Sequence, residues 1–209
     1  MKIGIIGAGM IGATTARLFV HAGHEVAISN SRGPASLATL VAELGARARA
    51  MTPAEAARWG DVVLLAVPWR KPEALPPADA VAGKIVIDAM NPYAENGTVA
   101  DLGATTSSEE TRRRLPGARL VKAFNTIYYK HLAERGRPEL PAEERHAIFL
   151  AGDDELAKRV VMNLIDDIGF GAVDTGSLAA GGRRQQPDTP LYNKVMTVRD
   201  ARKLVEGRS

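Results

Sequence analysis

Residues 2–7, KIGIIG, form a short apolar run ending in glycine, and Gly7-Ala8-Gly9-Met10-Ile11-Gly12 follows the spacing G-x-G-x-x-G. That spacing is weak evidence alone. Placed after an apolar run and before a helical pattern, it constrains the fold strongly. Gly7 permits a tight turn, Gly9 presents no side chain to an approaching diphosphate, and Gly12 lets the next helix lie close to the strand. The helix start adds free N–H groups and partial positive charge. The same residues also resemble the apolar part of a signal peptide. Gly4, Gly7, Gly9, Gly12 and Arg17 interrupt it, so a strand and turn are expected instead.

Downstream, strand and helix patterns alternate. A helix over about 10–22 turns Ile11, Leu18 and Phe19 inward, and Gly23 stops it. Val26 to Ile28 make a second strand. Pro34 opens a helix with Leu37, Leu40, Val41 and Leu44 at helical spacing, closed by Gly45. Thr52-Pro53-Ala54-Glu55 has the form of a capping box with proline at the first helical position. Residues 61–67 (DVVLLAV), 84–89 (KIVIDA), 118–124 (ARLVKAF) and 147–151 (AIFLA) read as buried strands. Asp153 is the expected cap of a helix carrying Leu156, Val160, Val161, Leu164, Ile165 and Ile168 up to Gly169, and 171–174 form a last edge strand. Alternation of this kind predicts parallel pairing, since parallel strands need long crossovers. The expected architecture is α/β: a Rossmann-like, doubly wound, mainly parallel sheet in one domain over 1–180. A C-terminal extension at 181–209, with a short helix over 198–205, covers the site or mediates association. A ligand belongs beyond the carboxyl ends of the strands, at the switch point beside the first strand.

Composition narrows the function. The chain has 209 residues, enough for one sizeable domain, and no cysteine. Disulfides, thiol nucleophiles and Cys-ligated metals drop out, and a reducing, cytoplasmic setting is expected. Lys+Arg 27 against Asp+Glu 24 leaves only +3, and aromatics are 5% of residues with no basic interleaving. No nucleic-acid partner is expected. The longest strongly apolar stretch, 62–69, is far short of a bilayer span, so no membrane partner is expected either. His21 and His24 sit at a helix-to-strand turn, away from the expected crevice, and His131 and His146 have no partner carboxylate that the sequence identifies. Asp153-Asp154-Glu155 reads as a helix start rather than a metal cluster. No metal and no general base are assigned.

The second strand ends Ile28-Ser29-Asn30-Ser31-Arg32, without the Asp or Glu that usually holds the ribose hydroxyls of NAD. Ser31 can donate to a 2′-phosphate, Arg32 can pair with it, and Asn30 can reach the ribose. NADP(H) is therefore the expected cofactor, held by Gly7, Gly9, Met10, Ile11, Gly12, Asn30, Ser31 and Arg32. The alternative is a polar loop before a proline-initiated helix.

GAGMIG at 7–12, NSRG at 30–33, AVPW at 66–69, DAMNP at 88–92, VKAFNTI at 121–127, AGDD at 151–154 and DTGSL at 174–178 occur in this order. Over about 1–180 the chain resembles the F420-dependent NADP oxidoreductases. That resemblance implies hydride transfer between NADPH and a small-molecule acceptor, the deazaflavin coenzyme F420 or a flavin-like ring. It implies that Val67 and Pro68 flank the nicotinamide, and that Asn91, Pro92, Asn125, Thr126 and Ile127 line the face where the acceptor stacks. Each also follows a predicted strand. A homodimer is implied too, with an apolar surface near Ile127 to Tyr129. Ring-to-ring hydride transfer depends on proximity and needs little acid–base help, in keeping with the absence of a catalytic dyad. Related dehydrogenases carry a long helical domain, for which the roughly 30 residues after Leu178 leave no room.

The chain also departs from the family. Asn125 and Lys71 stand where the best-known archaeal members have histidine. The polar tail replaces an apolar covering segment, and its Arg183 and Arg184 are expected as solvated surface, the alternative being contact with an anionic substrate tail. Two other functions stay open. One is an NADPH-binding redox sensor without turnover, favoured if 183–192 plugs the acceptor face. The other is a reductase of a small carbonyl or imine, which needs a proton donor such as Tyr93 or Tyr128.

Overall fold

A computed structural model describes residues 1–207. Its eight strands are β1 (Lys2–Ile6), β2 (Glu25–Ser29), β3 (Ala48–Ala50), β4 (Val62–Leu65), β5 (Ile85–Asp88), β6 (Arg119–Ala123), β7 (Ala147–Gly152) and β8 (Gly171–Asp174). They form one sheet in the order β3-β2-β1-β4-β5-β6-β7-β8. The order reverses between β1 and β4, which creates the crevice expected of a doubly wound sheet. The strands β1 to β6 run parallel.

The helices are α1 (Met10–His21), α2 (Ala38–Leu44), α3 (Pro53–Trp59), α4 (Ser107–Arg114), α5 (Tyr129–Glu134), α6 (Glu155–Asp167), α7 (Ala180–Arg184) and α8 (Val198–Glu206). Strand side chains alternate between two apolar faces, as a sheet covered on both sides requires. Ile3, Ile5, Ile28, Val62 and Leu64 join Phe19 of α1 and Val161, Leu164 and Ile165 of α6. On the opposite face Ile6, Ala27, Val63, Leu65 and Val86 pack with Ala56 and Ala57 of α3. The capping box at Thr52 forms in full, with Glu55 returning to the Thr52 backbone.

Several expectations need correction. The segment opened by Pro34 begins as a 3-10 turn, Pro34–Leu37, before α2. The cap of α6 is Asp154, not Asp153: its side chain accepts from the Ala157 N–H and also from the Arg119 guanidinium. Leu156 points outward, 61% exposed. Most importantly, β7 runs antiparallel to β6. The connection, residues 124–146, holds the six-residue helix α5. Helix length does not set the direction, since β4 and β5 pair in parallel with no α-helix between them. The chain re-enters from the end at which β6 finished.

The register has a consequence for the tail. Ala123 faces Leu150, and Leu150 faces Asp174. Strands β7 and β8 are thus shifted beyond the end of β6, and β8 finishes level with the carboxyl end of β6. The chain leaving β8 is delivered across that edge. Leu191, Val198 and Ala201 then anchor it on Ala147, Phe149 and Val173.

Candidate active site

The site begins where β1 turns into α1. Gly7 has φ +107, and a Cβ there would lie 2.4 Å from the Ala66 carbonyl oxygen. A Cβ on Gly12 would lie 1.8 Å from the Gly7 oxygen. Both glycines are demanded by packing. Gly9 differs: a Cβ there would meet nothing within 4 Å. The space above Gly9 faces outward, at the start of a 12-residue helix with no acidic residue in its first turn and no side-chain cap. That helix end retains free N–H groups and its partial positive charge, which suits an anionic diphosphate.

A cleft of about 760 Å³ runs from this turn. Gly7, Gly9, Asn30, Ser31, Arg32, Val67 and Pro68 all line it. Met10, Ile11 and Gly12 are not part of its lining: Met10 is exposed at the helix start and Gly12 is packed beneath the turn. At the end of β2, Asn30 organises the loop. Its Oδ1 accepts from the Arg32 backbone N–H at 2.9 Å, and its Nδ2 donates to Ser36 Oγ at 2.9 Å. Asn30 is therefore committed within the protein, while the Ser31 hydroxyl and the Arg32 guanidinium are exposed. Among the described residues neither has a hydrogen-bonding or ionic partner. Lys71, Glu73, Ala74, Leu75, Thr52 and Pro53 complete the lining. These wall residues escaped the sequence reasoning, apart from Lys71 as a family departure.

The other five predicted residues form a separate, buried group. Asn125, Thr126 and Ile127 are 3%, 4% and 6% exposed. Asn91 Nδ2 donates to the Asn125 carbonyl at 2.8 Å, and Asn125 Nδ2 returns to Asn91 Oδ1 at 3.1 Å. Pro92 is buried beside them. The loop holding Asn91 is pinned from below. Asp88 accepts from the Met90 N–H and from Ser108 Oγ, and the wholly buried Lys122 donates to the Met90 carbonyl and to Ser107 Oγ. Burial lowers the Lys122 pKa, and Asp88 opposes that shift.

The tail lies across this group. Asn125 Nδ2 donates to the Gln185 carbonyl at 2.7 Å, and the Asn193 N–H donates to the Thr126 carbonyl at 2.8 Å. Tyr93 donates its hydroxyl to Tyr192 Oη at 3.0 Å, and Asn91 Nδ2 reaches the same oxygen at 3.4 Å. Burial raises the Tyr192 pKa, followed by the hydrogen bond from Tyr93. Tyr192 is a residue that sequence reasoning missed. Tyr128, the other phenol considered, is 41% exposed and packs on Tyr129. Arg183 and Arg184 are not merely solvated: they donate to the carbonyls of Ala104 and Val205, at 2.6 and 2.9 Å, and tie the tail down. No cluster of three metal-ligating side chains occurs among the described residues. No helix among them is long and apolar enough to cross a membrane.

Known proteins share this fold. The hypothetical protein SMa0349 from Sinorhizobium meliloti superposes with a TM-score of 0.82 at 37% identity, over 94% of this chain and 95% of that one. A proposed F420-dependent NADP-reductase from Arthrobacter sp. FB24 superposes at 0.77 with 26% identity, over 94% and 99% of the two chains. The rat metalloreductase STEAP3 is 30% identical over 180 residues, 86% of this chain. This chain spans only 34% of the length of that relative. A model of coenzyme F420-dependent NADP oxidoreductases matches residues 2–92. With its glycine turn, its uncharged β2 end and a full-length relative above 30% identity, the chain belongs to the F420-dependent NADP oxidoreductase family.

Proposed function

We propose that the chain is an oxidoreductase that binds NADP(H) in the 760 Å³ cleft and passes hydride between it and a deazaflavin or flavin-like ring. The observation that carries the cofactor assignment is the free Ser31–Arg32 pair on a cleft wall where β2 ends without a carboxylate. The residues present fit the group. The open space over Gly9 and the uncapped start of α1 receive the diphosphate, Arg32 and Ser31 receive a 2′-phosphate, and Val67 and Pro68 flank the nicotinamide. When bound, the nicotinamide supplies the hydride. The protein binds, orients and excludes water, which can supply several kcal/mol of barrier reduction by proximity. Asn91, Pro92, Asn125, Thr126 and Ile127 are assigned to the acceptor side.

The test is to mix the protein with NADPH and oxidised coenzyme F420, or with FMN, with NADH in a parallel cell. Bleaching of the acceptor with NADPH alone is the expected result. Tight NADPH binding without bleaching of either acceptor removes the ring-acceptor assignment.

A second function is favoured by the tail. Residues 185–193 bond directly to Asn91, Asn125 and Thr126, as a redox-sensing module without turnover would have them. The same bleaching assay separates the two. We also propose a homodimer in the cytoplasm. A monomer by sedimentation at micromolar concentration removes the dimer.

A further inference from the structure

The contact between the tail and the Asn91–Asn125 pair is polar and incomplete. Asn125 Oδ1 and Gln185 Oε1 are buried and accept no hydrogen bond from the described residues. Neither amide can be turned over to relieve this. Asn125 Nδ2 already faces two oxygens, the Gln185 carbonyl and Asn91 Oδ1. Gln185 Nε2 donates to Thr175 Oγ1, whose own proton goes to the Leu150 carbonyl. The donor and acceptor roles are thus set by the network. Buried acceptors without donors are uncommon and need a reason.

Backbone strain gathers at the same place. Among the described residues, three that are not glycine have positive φ: Phe124 at 65°, Asp188 at 66° and Asn193 at 53°. The first directly precedes Asn125, and the other two lie in the tail segment above it. Strain of this kind persists where the surroundings enforce it and clusters at ligand sites.

We propose that the Asn125 carboxamide recognises a lactam or imide edge, –CO–NH–, of the hydride acceptor, and that the Gln185 carbonyl holds the place of the ligand carbonyl in the free protein. This rests on the assignment of the acceptor to the Asn91–Asn125 side. The Gln185 carbonyl satisfies Nδ2 but brings no N–H to Oδ1. A –CO–NH– edge satisfies both with two parallel hydrogen bonds, as a carboxamide does with a complementary donor–acceptor edge. The segment 185–193 therefore moves aside at its Gln185 end when the acceptor enters. It is not a permanent plug.

The test compares lumiflavin, which carries an imide N–H, with 3-methyllumiflavin, which does not. Each is titrated into the protein with and without NADP+, following flavin fluorescence, while hydrogen exchange is read for the amides of 185–193. Lumiflavin is expected to bind about tenfold more tightly, the effect of leaving one buried acceptor unpaired in the other complex. Exchange across 185–193 is expected to rise with lumiflavin and not with NADP+ alone. Asn125→Leu is expected to bring the two affinities together. The wild-type comparison stands even where that variant fails to fold. Equal affinities in the wild type, binding of neither flavin, or unchanged exchange on lumiflavin binding each overturn the proposal. If bleaching with NADPH persists while the affinities are equal, the reaction stands and this recognition falls. If NADP+ does not bind but lumiflavin discrimination persists, the cofactor assignment falls and the recognition stands.

Discussion

Replacing Arg32 with alanine separates a phosphate-binding role from a structural one. The guanidinium has no partner among the described residues and is exposed, so its removal breaks no contact within the fold. The loop conformation survives, because the bond to Asn30 Oδ1 comes from the Arg32 backbone. Stability should therefore change by less than about 0.5 kcal/mol. If the side chain holds a 2′-phosphate, one or two charge-assisted hydrogen bonds are lost, each about 1.5–3 kcal/mol at most. The site is open to solvent and salt screens over about 8 Å at physiological ionic strength. We take the lower half of that range, about 1.5–2 kcal/mol, which is roughly 10- to 30-fold in affinity. NADPH and NADH are titrated into wild type and Arg32→Ala by nicotinamide fluorescence at low and high salt. The expected result is a 10- to 30-fold loss for NADPH, less than about twofold for NADH, and a salt dependence of NADPH binding that shrinks in the variant. Equal losses for both nucleotides would refute the phosphate role and return Arg32 to an ordinary loop position.

Four further outcomes follow from the structure. Gly12→Ala places a methyl group 1.8 Å from a backbone oxygen and should destabilise the fold by about 2–4 kcal/mol. Gly9→Ala meets nothing in the protein, so it should leave the melting temperature unchanged and weaken NADPH and NADH alike. Lys122→Met strips the Met90 carbonyl and Ser107 Oγ of a donor and leaves Asp88 without its neighbouring charge. Denaturant unfolding should show a loss of about 2–3 kcal/mol, and the acceptor KM should rise as the loop carrying Asn91 loosens. His146 is lowered to about 4, first by burial and then by the Arg135 and His131 charges. Its neutral form is favoured in the fold, so its contribution is fully present above pH 6.5 and is lost as pH falls from there toward 4. That loss is at most about 3 kcal/mol, and His146→Leu should flatten the stability profile in that window. An unchanged slope there would exclude His146 as its source.

The parts of the fold that were legible are those with a local physical signature. The glycine turn, the capping box at Thr52, and the apolar strands β1, β4, β5 and β6 each announce themselves within ten residues. The missed elements lack such a signature. Strand β3 is Ala48–Ala50, three residues held by pairing to β2. Helix α4 has no apolar face, and its sequence SSEETRRR reads as loop. The available signal was a second capping box, from Thr106 to Glu109, which forms in full. The residues around the cleft were legible for the same reason as the turn: most of its lining follows the ends of β1, β2 and β4. Tyr192 was not, because it lies 101 residues from Asn91 and nothing in its local sequence marks it.

The direction of β7 is where local patterning stopped carrying the fold. AIFLA is apolar enough to be buried on both faces, and alternation with helices argues for parallel pairing. Neither observation sees the antiparallel entry of β7, whose register brings β8 to end level with Ala123. The chain beyond β8 then has to cross the edge where β5 and β6 end, which is where Asn91 and Asn125 sit. The tail is over Asn91 and Asn125 because of strand register, whatever its own sequence. Its sequence decides something else: whether it seals that edge or leaves polar groups unmatched. An apolar segment would pack there without needing partners. Gln185 and Tyr192 instead engage the amides of Asn91 and Asn125 and leave two buried oxygens without donors. A seal of that composition is weakened by the groups it covers, and a ligand that satisfies Asn125 Oδ1 can displace it.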